Sequence, residues 1–252
     1  MIGVFDSGVG GLTVLKAMRA SFPSIDVVYF GDTKNSPYGS RGRDELSRLT
    51  VEGVQFLLGK GATSIVCACN SVSVSLALSL YDLLSIPEMR VIEMIGPCVA
   101  SFRGSGARIA LVATQATVES GMYQNAFRMI GKDIRAVAIP GLAQSIEEGE
   151  EEAAYEAHIR AALAEIPEDS YDTLVLGCTH YPIAMASFRA AAPGKTIVDP
   201  ADSVASRVER DLWPREMGYG RTDFYISKDS ARFRALVDEL FPDKNHTVHV
   251  VD

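Results

Sequence analysis

Long apolar runs and basic stretches are both missing from this sequence. No run of about 18 apolar residues occurs, so we expect no membrane-spanning helix. The sequence begins M-I-G-V-F-D without a basic leader, so we expect no secretory signal. With a net charge of −8 and no stripe of Lys or Arg, nucleic acid is not an expected partner. The acidic run E-E-G-E-E-E at 147–152 is predicted to be a solvated helix start.

Cysteine is scarce, with four residues at positions 67, 69, 98 and 178. Their spacing is not that of a metal site, and no cluster of His and carboxylate residues has ligand spacing, so we expect no bound metal. Free thiols are typical of a reducing compartment, which favours a cytoplasmic protein. Cys67 lies within a strand-like run and is predicted to be a core thiol, as is Cys98.

Short strand-like runs alternate with longer helical patterns along the chain. The predicted strands are 2–5, 27–30, 64–67, 90–93, 108–112, 134–138, 173–177, 196–199 and 222–226. Helical patterns between them include residues 11–21, 119–130 and 201–212, and a further helix is predicted to close the chain. This alternation is typical of βαβ units, and it predicts an α/β fold in two halves with mainly parallel sheets.

Two of the cysteines occupy similar positions in the two halves. Cys69 begins C-N-S at 69–71, and Cys178 begins C-T-H at 178–180. Each follows a strand-like run and precedes a helical pattern, which predicts a thiol at the edge where open α/β sheets bind ligands. A helix start and nearby donors need lower the ordinary pKa of ~8.5 only modestly to give a base near neutral pH. Two such thiols could face one substrate from opposite sides.

Polar segments also follow the first, second and fifth strands. D-S-G-V-G-G at 6–11 has glycines that allow close backbone approach to a ligand, and Asp6 is either a helix cap or a functional carboxylate. It is neither a dinucleotide fingerprint nor a P-loop. The segment 31–39 is either a Pro-centred turn or a pocket wall. Thr114 and Thr117 either cap a helix or add hydroxyl donors to a pocket.

These motifs occur together, in order, in one known family. F-D-S-G-V-G-G, G-D-T-x-x-x-P-Y-G, C-N-S, A-T-x-x-T-x-x-S-x-x-Y and L-G-C-T-H-Y-P resemble those of the cofactor-independent glutamate racemases. The resemblance covers positions 3 to about 226, and the ordered set is highly specific although no single motif is. Ser71 stands where the family usually has threonine, and Lys34, Asn35 and Ser36 differ from its usual small or basic residues.

The resemblance implies two α/β domains with the active site in the cleft between them. The first domain is expected to comprise residues 1–95 and 208–252, and the second residues 96–207. The resemblance also implies that Cys69 and Cys178 are the catalytic acid/base thiols, assisted by Asp6 and His180, with Glu147 near the second thiol. The substrate-binding residues that it implies are Asp6, Ser7, Pro37, Tyr38, Gly39, Asn70, Ser71, Thr114, Thr117, Thr179 and His180.

The expected reaction is racemisation of glutamate without a cofactor, which would supply D-glutamate for peptidoglycan synthesis. No lysine falls in a strand-end motif, so we expect no pyridoxal Schiff base, and a homodimer is the expected assembly. Three alternatives remain open. They are a racemase of aspartate or another acidic amino acid, an amidohydrolase that uses Cys178 and His180, and a non-catalytic module that holds an acidic amino acid.

Overall fold

Two parallel β-sheets organise the protein. The computed structural model describes residues 1–83, 90–212 and 218–251. The larger sheet contains β1 (Ile2–Asp6), β2 (Val27–Gly31), β3 (Ser64–Cys67), β4 (Arg90–Ile92), β9 (Thr222–Ile226) and β10 (His246–Val250), in the order β10-β9-β2-β1-β3-β4. The smaller sheet contains β5 (Ile109–Ala113), β6 (Arg135–Ala138), β7 (Thr173–Gly177) and β8 (Thr196–Val198), in the order β6-β5-β7-β8. The strand pairs are parallel, which confirms the predicted α/β fold.

α-Helices follow most of the strands. They are α1 (Gly11–Ser21), α2 (Arg43–Gly59), α3 (Asn70–Leu83), α4 (Ile95–Ser101), α5 (Gln115–Glu119), α6 (Met122–Met129), α7 (Leu142–Glu148), α8 (Glu152–Leu163), α9 (Met185–Ala191), α10 (Ala201–Leu212) and α11 (Ala231–Leu240). Short 3₁₀ turns lie at Tyr38–Ser40, Glu168–Ser170 and Tyr181–Ala184. Within the described ranges, every helix is too short or too polar to cross a lipid bilayer.

The predicted helices at 11–21 and 201–212 are confirmed, but two other predictions need correction. The single helix expected at 119–130 is split, because Gly121 adopts a left-handed conformation (φ 67°) between α5 and α6. The chain does not close on a helix, since β10 follows α11 and pairs with β9. Strand β10 lies at the sheet edge with half-buried and exposed side chains, so its apolar pattern is weak.

Helices cover both faces of each sheet and form its core. Apolar side chains of α1, α10 and α11 pack on one face of the larger sheet, and those of α2 and α3 pack on the other. In the smaller sheet α7, α8 and α9 pack on one face, and α4 and α6 on the other. Burial on both faces explains why the central strands are mostly apolar, without the alternation of a half-exposed strand.

The chain passes between the sheets at two places, before α4 and before α10. Helix α10 presents buried residues at 201, 204, 205, 208 and 212, one face of a helix, to the core that contains α1. Residues 201–207, assigned to the second domain from sequence, therefore pack with the larger sheet. We propose that the domain division follows these two crossings, near residues 94 and 200.

Candidate active site

The two strand-end cysteines line one cavity between the sheets. Cys69 comes from the turn after β3 and Cys178 from the end of β7, and each is 5% exposed. The cavity has a volume of about 10 Å³. Its lining residues are Ser7, Pro37, Tyr38, Gly39, Cys69, Asn70, Ser71, Thr114, Ala143, Cys178, Thr179 and His180. The site therefore lies at the carboxyl ends of strands from both sheets, the usual position in α/β proteins.

Asp6 lies at the end of β1, fully buried beneath this cavity. Its carboxylate accepts hydrogen bonds from the Gly8 N–H (2.8 Å) and from the Thr179 hydroxyl (3.2 Å). Gly10 occupies the N-cap position of α1, but the Asp6 carboxylate accepts the N–H of Gly11, the first residue of that helix. Burial raises the pKa of Asp6 by more than nearby His180 and the Gly8 N–H lower it. Asp6 therefore joins the first loop of the larger sheet to the turn that carries Cys178.

The glycines of the first loop serve contact between the halves of the protein. We expected close backbone approach to a ligand, but side chains of the smaller sheet fill that space. A Cβ atom at Gly10 would lie 2.5 Å from the Thr179 Oγ1 and 2.7 Å from the His180 Nδ1. A Cβ atom at Gly8 would collide with the carboxylate of Glu147. Gly10 has φ −60°, so the requirement is for space and not for an unusual backbone conformation.

His180 lies between Cys178 and Glu147. Its Nδ1 is 3.8 Å from the Cys178 Sγ, and its Nε2 is 2.6 Å from the Glu147 Oε2. Glu147 also accepts the N–H of Val9 at 3.1 Å, which ties this group to the larger sheet. His180 is 2% exposed and the Glu147 side chain 12%. The sequence resemblance placed Glu147 near the second thiol, and the structure brings the two together through His180.

The solvated helix start predicted at 147–152 needs two corrections. The run joins the end of α7 to the start of α8 at Glu152, and its first residue is not solvated. Glu147 lies in the last turn of α7, whose buried face turns the carboxylate inward, whereas residues 148–152 are exposed. Ala143 lies one helical turn earlier and lines the cavity, although we did not predict it as a site residue. The i, i+4 spacing from Glu147 is the signal that could have found it.

The two thiols differ in their electrostatic surroundings. Burial and the neighbouring Asp6 raise the pKa of Cys69 to about 12, even though the Val72 N–H lowers it. The expected modest lowering is therefore wrong for Cys69 in this arrangement, because loss of hydration outweighs the helix start. Burial lowers the pKa of His180, but its hydrogen bonds with Cys178 and Glu147 outweigh that effect, and the pKa stands well above its ordinary value. A protonated His180 places a positive charge beside Cys178.

Hydroxyl and amide groups form another part of the cavity wall. The Ser71 Oγ lies 3.2 Å from the Thr114 Oγ1, which lies 3.0 Å from the Thr117 Oγ1. Thr114 also caps α5, accepting the Thr117 N–H, so the capping and pocket interpretations both apply to it. Thr117 stands behind the wall, fully buried and outside the cavity lining. Ser71, which stands where the family usually has threonine, therefore keeps its hydroxyl in this series of hydrogen-bonding groups.

The 31–39 loop supplies the remaining wall, so the pocket interpretation of this loop holds. Tyr38 and Gly39 line the cavity. The Tyr38 hydroxyl donates to Asp32 at 2.6 Å, and the same carboxylate accepts hydrogen bonds from Asn35 and Ser227. Asp32 was not among the predicted site residues. Its position at the head of the G-D-T-x-x-x-P-Y-G motif is the signal that could have identified it.

Burial of the two other cysteines agrees with their predicted place in the core. Cys67 and Cys98 are both fully buried. Burial is the main reason that the pKa of each thiol is raised, in the case of Cys98 to about 12. Neither thiol lines the cavity.

Comparison with known proteins identifies the family of this chain. The family model described as "Asp/Glu/Hydantoin racemase" matches residues 12–208. The chain belongs to this family. A glutamate racemase from Thermus thermophilus is 38% identical over 95% of this chain and 91% of its own length. A glutamate racemase from Aquifex aeolicus is 35% identical over 94% of this chain and 92% of its own length.

A solved structure agrees with these relatives. The crystal structure of glutamate racemase from Francisella tularensis in complex with D-glutamate matches with a TM-score of 0.86 and 25% identity. It covers 100% of this chain and 97% of the solved chain. Relatives of this family therefore match both halves of the protein, with the cavity between them.

Proposed function

We propose that the protein is a glutamate racemase that interconverts L- and D-glutamate without a cofactor, using two cysteines as its acid and base. One observation carries the proposal: thiols from two different sheets line one small buried cavity. Cys69 lies near the Asp6 carboxylate and Cys178 beside the His180 imidazole, so the two thiols have different electrostatic surroundings. Near-complete coverage of glutamate racemases by this chain supports glutamate as the substrate.

Racemisation moves a proton from one face of Cα to the other. One thiol must begin as a thiolate and the other protonated. Cys69, with a pKa of about 12, is held protonated, and protonated His180 stabilises negative charge on Cys178. The Cys178 thiolate removes the Cα proton, and the carbanion left with the C–H electron pair takes a proton from Cys69. The thiols then hold the reverse protonation, which is the starting state for the opposite enantiomer.

Polar groups around the cavity stabilise the transition state. The negative charge that develops at Cα spreads into the α-carboxylate, so donors aimed at that group act most strongly when the proton has left. Asn70, Ser71 and Thr114 offer an amide and two hydroxyls from the wall that adjoins Cys69. Because these groups are neutral, they have little effect on which thiol holds the proton. In this proposal Asp6 and His180 determine that.

The cavity must enlarge to admit glutamate. A volume of about 10 Å³ leaves room for about one water molecule. Contacts between the sheets hold it at this size, including the Thr179–Asp6 and Val9–Glu147 hydrogen bonds. We propose that the halves separate to bind substrate and close again to exclude water before proton transfer.

The proposed product suggests a cellular role. D-Glutamate from this reaction would supply peptidoglycan synthesis in the cytoplasm. We further propose a homodimer as the working assembly, which size-exclusion chromatography with light scattering will test.

Proton NMR of the purified protein with L-glutamate in D₂O, without added cofactor, tests the function. We expect loss of the Cα proton signal and, by chiral analysis, the appearance of D-glutamate. Exchange with aspartate and not with glutamate would favour the aspartate alternative. Binding of glutamate without exchange would favour the non-catalytic module. Release of ammonia from an amide substrate, in a reaction that does not need Cys69, would favour the amidohydrolase.

A further inference from the structure

Asn70 presents one end of its side-chain amide to protein and leaves the other end free. It follows Cys69 at the start of α3 and is 2% exposed. Its Oδ1 accepts a hydrogen bond of 2.7 Å from the hydroxyl of Tyr123. Its Nδ2 is buried and has no hydrogen-bond partner among the residues that the structure describes. Because Asn70 lines the cavity, a buried donor group is available there for a ligand.

Tyr123 is well placed to fix this orientation. It lies in α6, on the smaller sheet, and is fully buried against Phe127 with the two ring centroids 6.4 Å apart. Burial raises the pKa of Tyr123 well above its ordinary value, so the hydroxyl remains protonated and able to donate. Tyr123 is not among the residues that line the cavity.

We propose that Tyr123 is a positioning residue, whose hydroxyl holds the Asn70 amide with its NH₂ group toward the substrate carboxylate. The proposal rests on the proposed racemase function. Without the hydroxyl the amide is free to rotate by half a turn. It would then present its carbonyl oxygen to the carboxylate, replacing an attraction with a repulsion.

The hydrogen bond also crosses between the two halves. Asn70 belongs to α3 on the larger sheet, and Tyr123 belongs to α6 on the smaller one. When the sheets separate, the hydroxyl and the amide separate with them. The donor is therefore correctly oriented only in the closed arrangement, in which the thiols also line one cavity.

Tyr123→Phe tests the proposal because it removes the hydroxyl and keeps the ring. Loss of a hydrogen bond that orients a donor to a charged group predicts a 10- to 100-fold fall in kcat/KM for glutamate. We expect KM to rise because the amide no longer binds the substrate carboxylate, and kcat to fall because the same donor acts most strongly in the transition state. The shape of the pH profile of kcat should stay unchanged because Cys178, His180 and Glu147 are untouched. Tyr171→Phe is the matched control. This buried tyrosine precedes β7, at the end of the smaller sheet opposite the cavity, and its variant should keep wild-type kinetics.

A double-mutant cycle separates positioning from packing. In an Asn70→Ala background, where no amide remains to be oriented, Tyr123→Phe should change kcat/KM less than about twofold. An equal loss in both backgrounds, or wild-type KM in Tyr123→Phe alone, would overturn the proposal. Circular dichroism and thermal unfolding check that each variant is folded.

Glutamate affinity gives a second readout that does not depend on turnover. Calorimetry on wild type and Tyr123→Phe should show a Kd at least 10-fold weaker in the variant. Absence of turnover in the wild-type protein would count against the racemase, whereas equal Kd values would count against Tyr123 alone. Asn70→Ala should show a comparable loss of affinity, and full affinity in that variant would overturn the role of the amide.

Discussion

The Glu147 carboxylate lies 2.6 Å from the His180 imidazole, and the two residues come from separate elements of the smaller sheet. Glu147 lies in the last turn of α7, and His180 follows β7. The same Glu147 oxygen accepts the N–H of Val9 from the first loop of the larger sheet. One carboxylate thus supports the charge on His180 and also joins the two halves, so the state of the imidazole depends on how closely they approach.

Removing the negative charge of Glu147 should weaken the protonated form of His180. Glu147→Gln keeps the shape and an acceptor oxygen, but it removes a charged hydrogen bond from a buried imidazole. We expect kcat to fall about 10- to 100-fold. The alkaline limb of the pH–rate profile should move to lower pH, because His180 then loses its proton more easily. Glu148→Gln, on the exposed neighbour, is the control, and an unshifted alkaline limb in Glu147→Gln would contradict the role of the carboxylate.

Each catalytic thiol should be indispensable. Cys69→Ser and Cys178→Ser replace the thiol with a much weaker acid and base, and each should lower racemisation by about 10²- to 10⁴-fold with the fold intact. Cys98→Ala, which alters a buried thiol outside the cavity, should retain activity. Chiral chromatography of product from either enantiomer measures the loss. Retained turnover in both serine variants would rule out the two-base scheme.

Asp199 should make the protein less stable at neutral pH than in mild acid. Burial, with a smaller effect from Asp202, raises its pKa from 3.8 to about 6. Since the folded state favours the protonated carboxyl, this group destabilises the protein fully above about pH 6, and the penalty shrinks as the pH falls from 6 through 3.8. Asp199→Asn keeps a side-chain oxygen for the Ala201 N–H. It should therefore raise the free energy of unfolding at pH 7 by up to about 2–3 kcal/mol.

Urea denaturation of wild type and Asp199→Asn at several pH values measures this difference. The gain should be present at pH 7, shrink as the pH falls through 6, and approach zero only below about pH 3, where Asp199 is protonated in both the folded and unfolded states. Asp202→Asn, at an exposed position on the same helix, is the control and should show a much smaller change. A gain that is the same at every pH would refute the titration of Asp199 as its cause.

A methyl group at Gly10 should keep the two halves apart. The added Cβ atom would lie 2.8 Å from the His180 backbone nitrogen, a contact that the protein can relieve only by moving the turn. Gly10→Ala should lower the free energy of unfolding by about 1–3 kcal/mol and reduce glutamate turnover more severely. Gly59→Ala, where a Cβ meets nothing within 4 Å, should have neither effect. Thermal unfolding and racemisation assays report both, and wild-type activity in Gly10→Ala would show that the contact is not needed.

The order of elements and the positions of the two thiols could be predicted from the sequence because both depend on local pattern. Apolar runs such as 173–177 mark strands, and Cys178 directly follows one. Glu147 and Cys69 show where local pattern fails. The orientation of the Glu147 carboxylate depends on the face that α7 buries. The pKa of Cys69 depends on its burial in the core of the larger sheet and on the neighbouring Asp6, which only the fold brings together. Strand β10 was missed because an edge strand needs no continuous apolar run.

The two crossings between the sheets determine how the site can open. At each one a carboxylate holds the start of the next helix: Glu93 accepts the N–H groups of Ile95 and Gly96, and Asp199 accepts that of Ala201. If the sheets separate as we propose, these two connecting segments would restrict their relative motion mainly to a rotation about the line that joins the segments. A single rotation would then separate the thiols, withdraw Glu147 from Val9 and release Asn70 from Tyr123 together. The motion that admits substrate would therefore also separate the acid and base groups. The open site could bind glutamate but could not catalyse proton transfer.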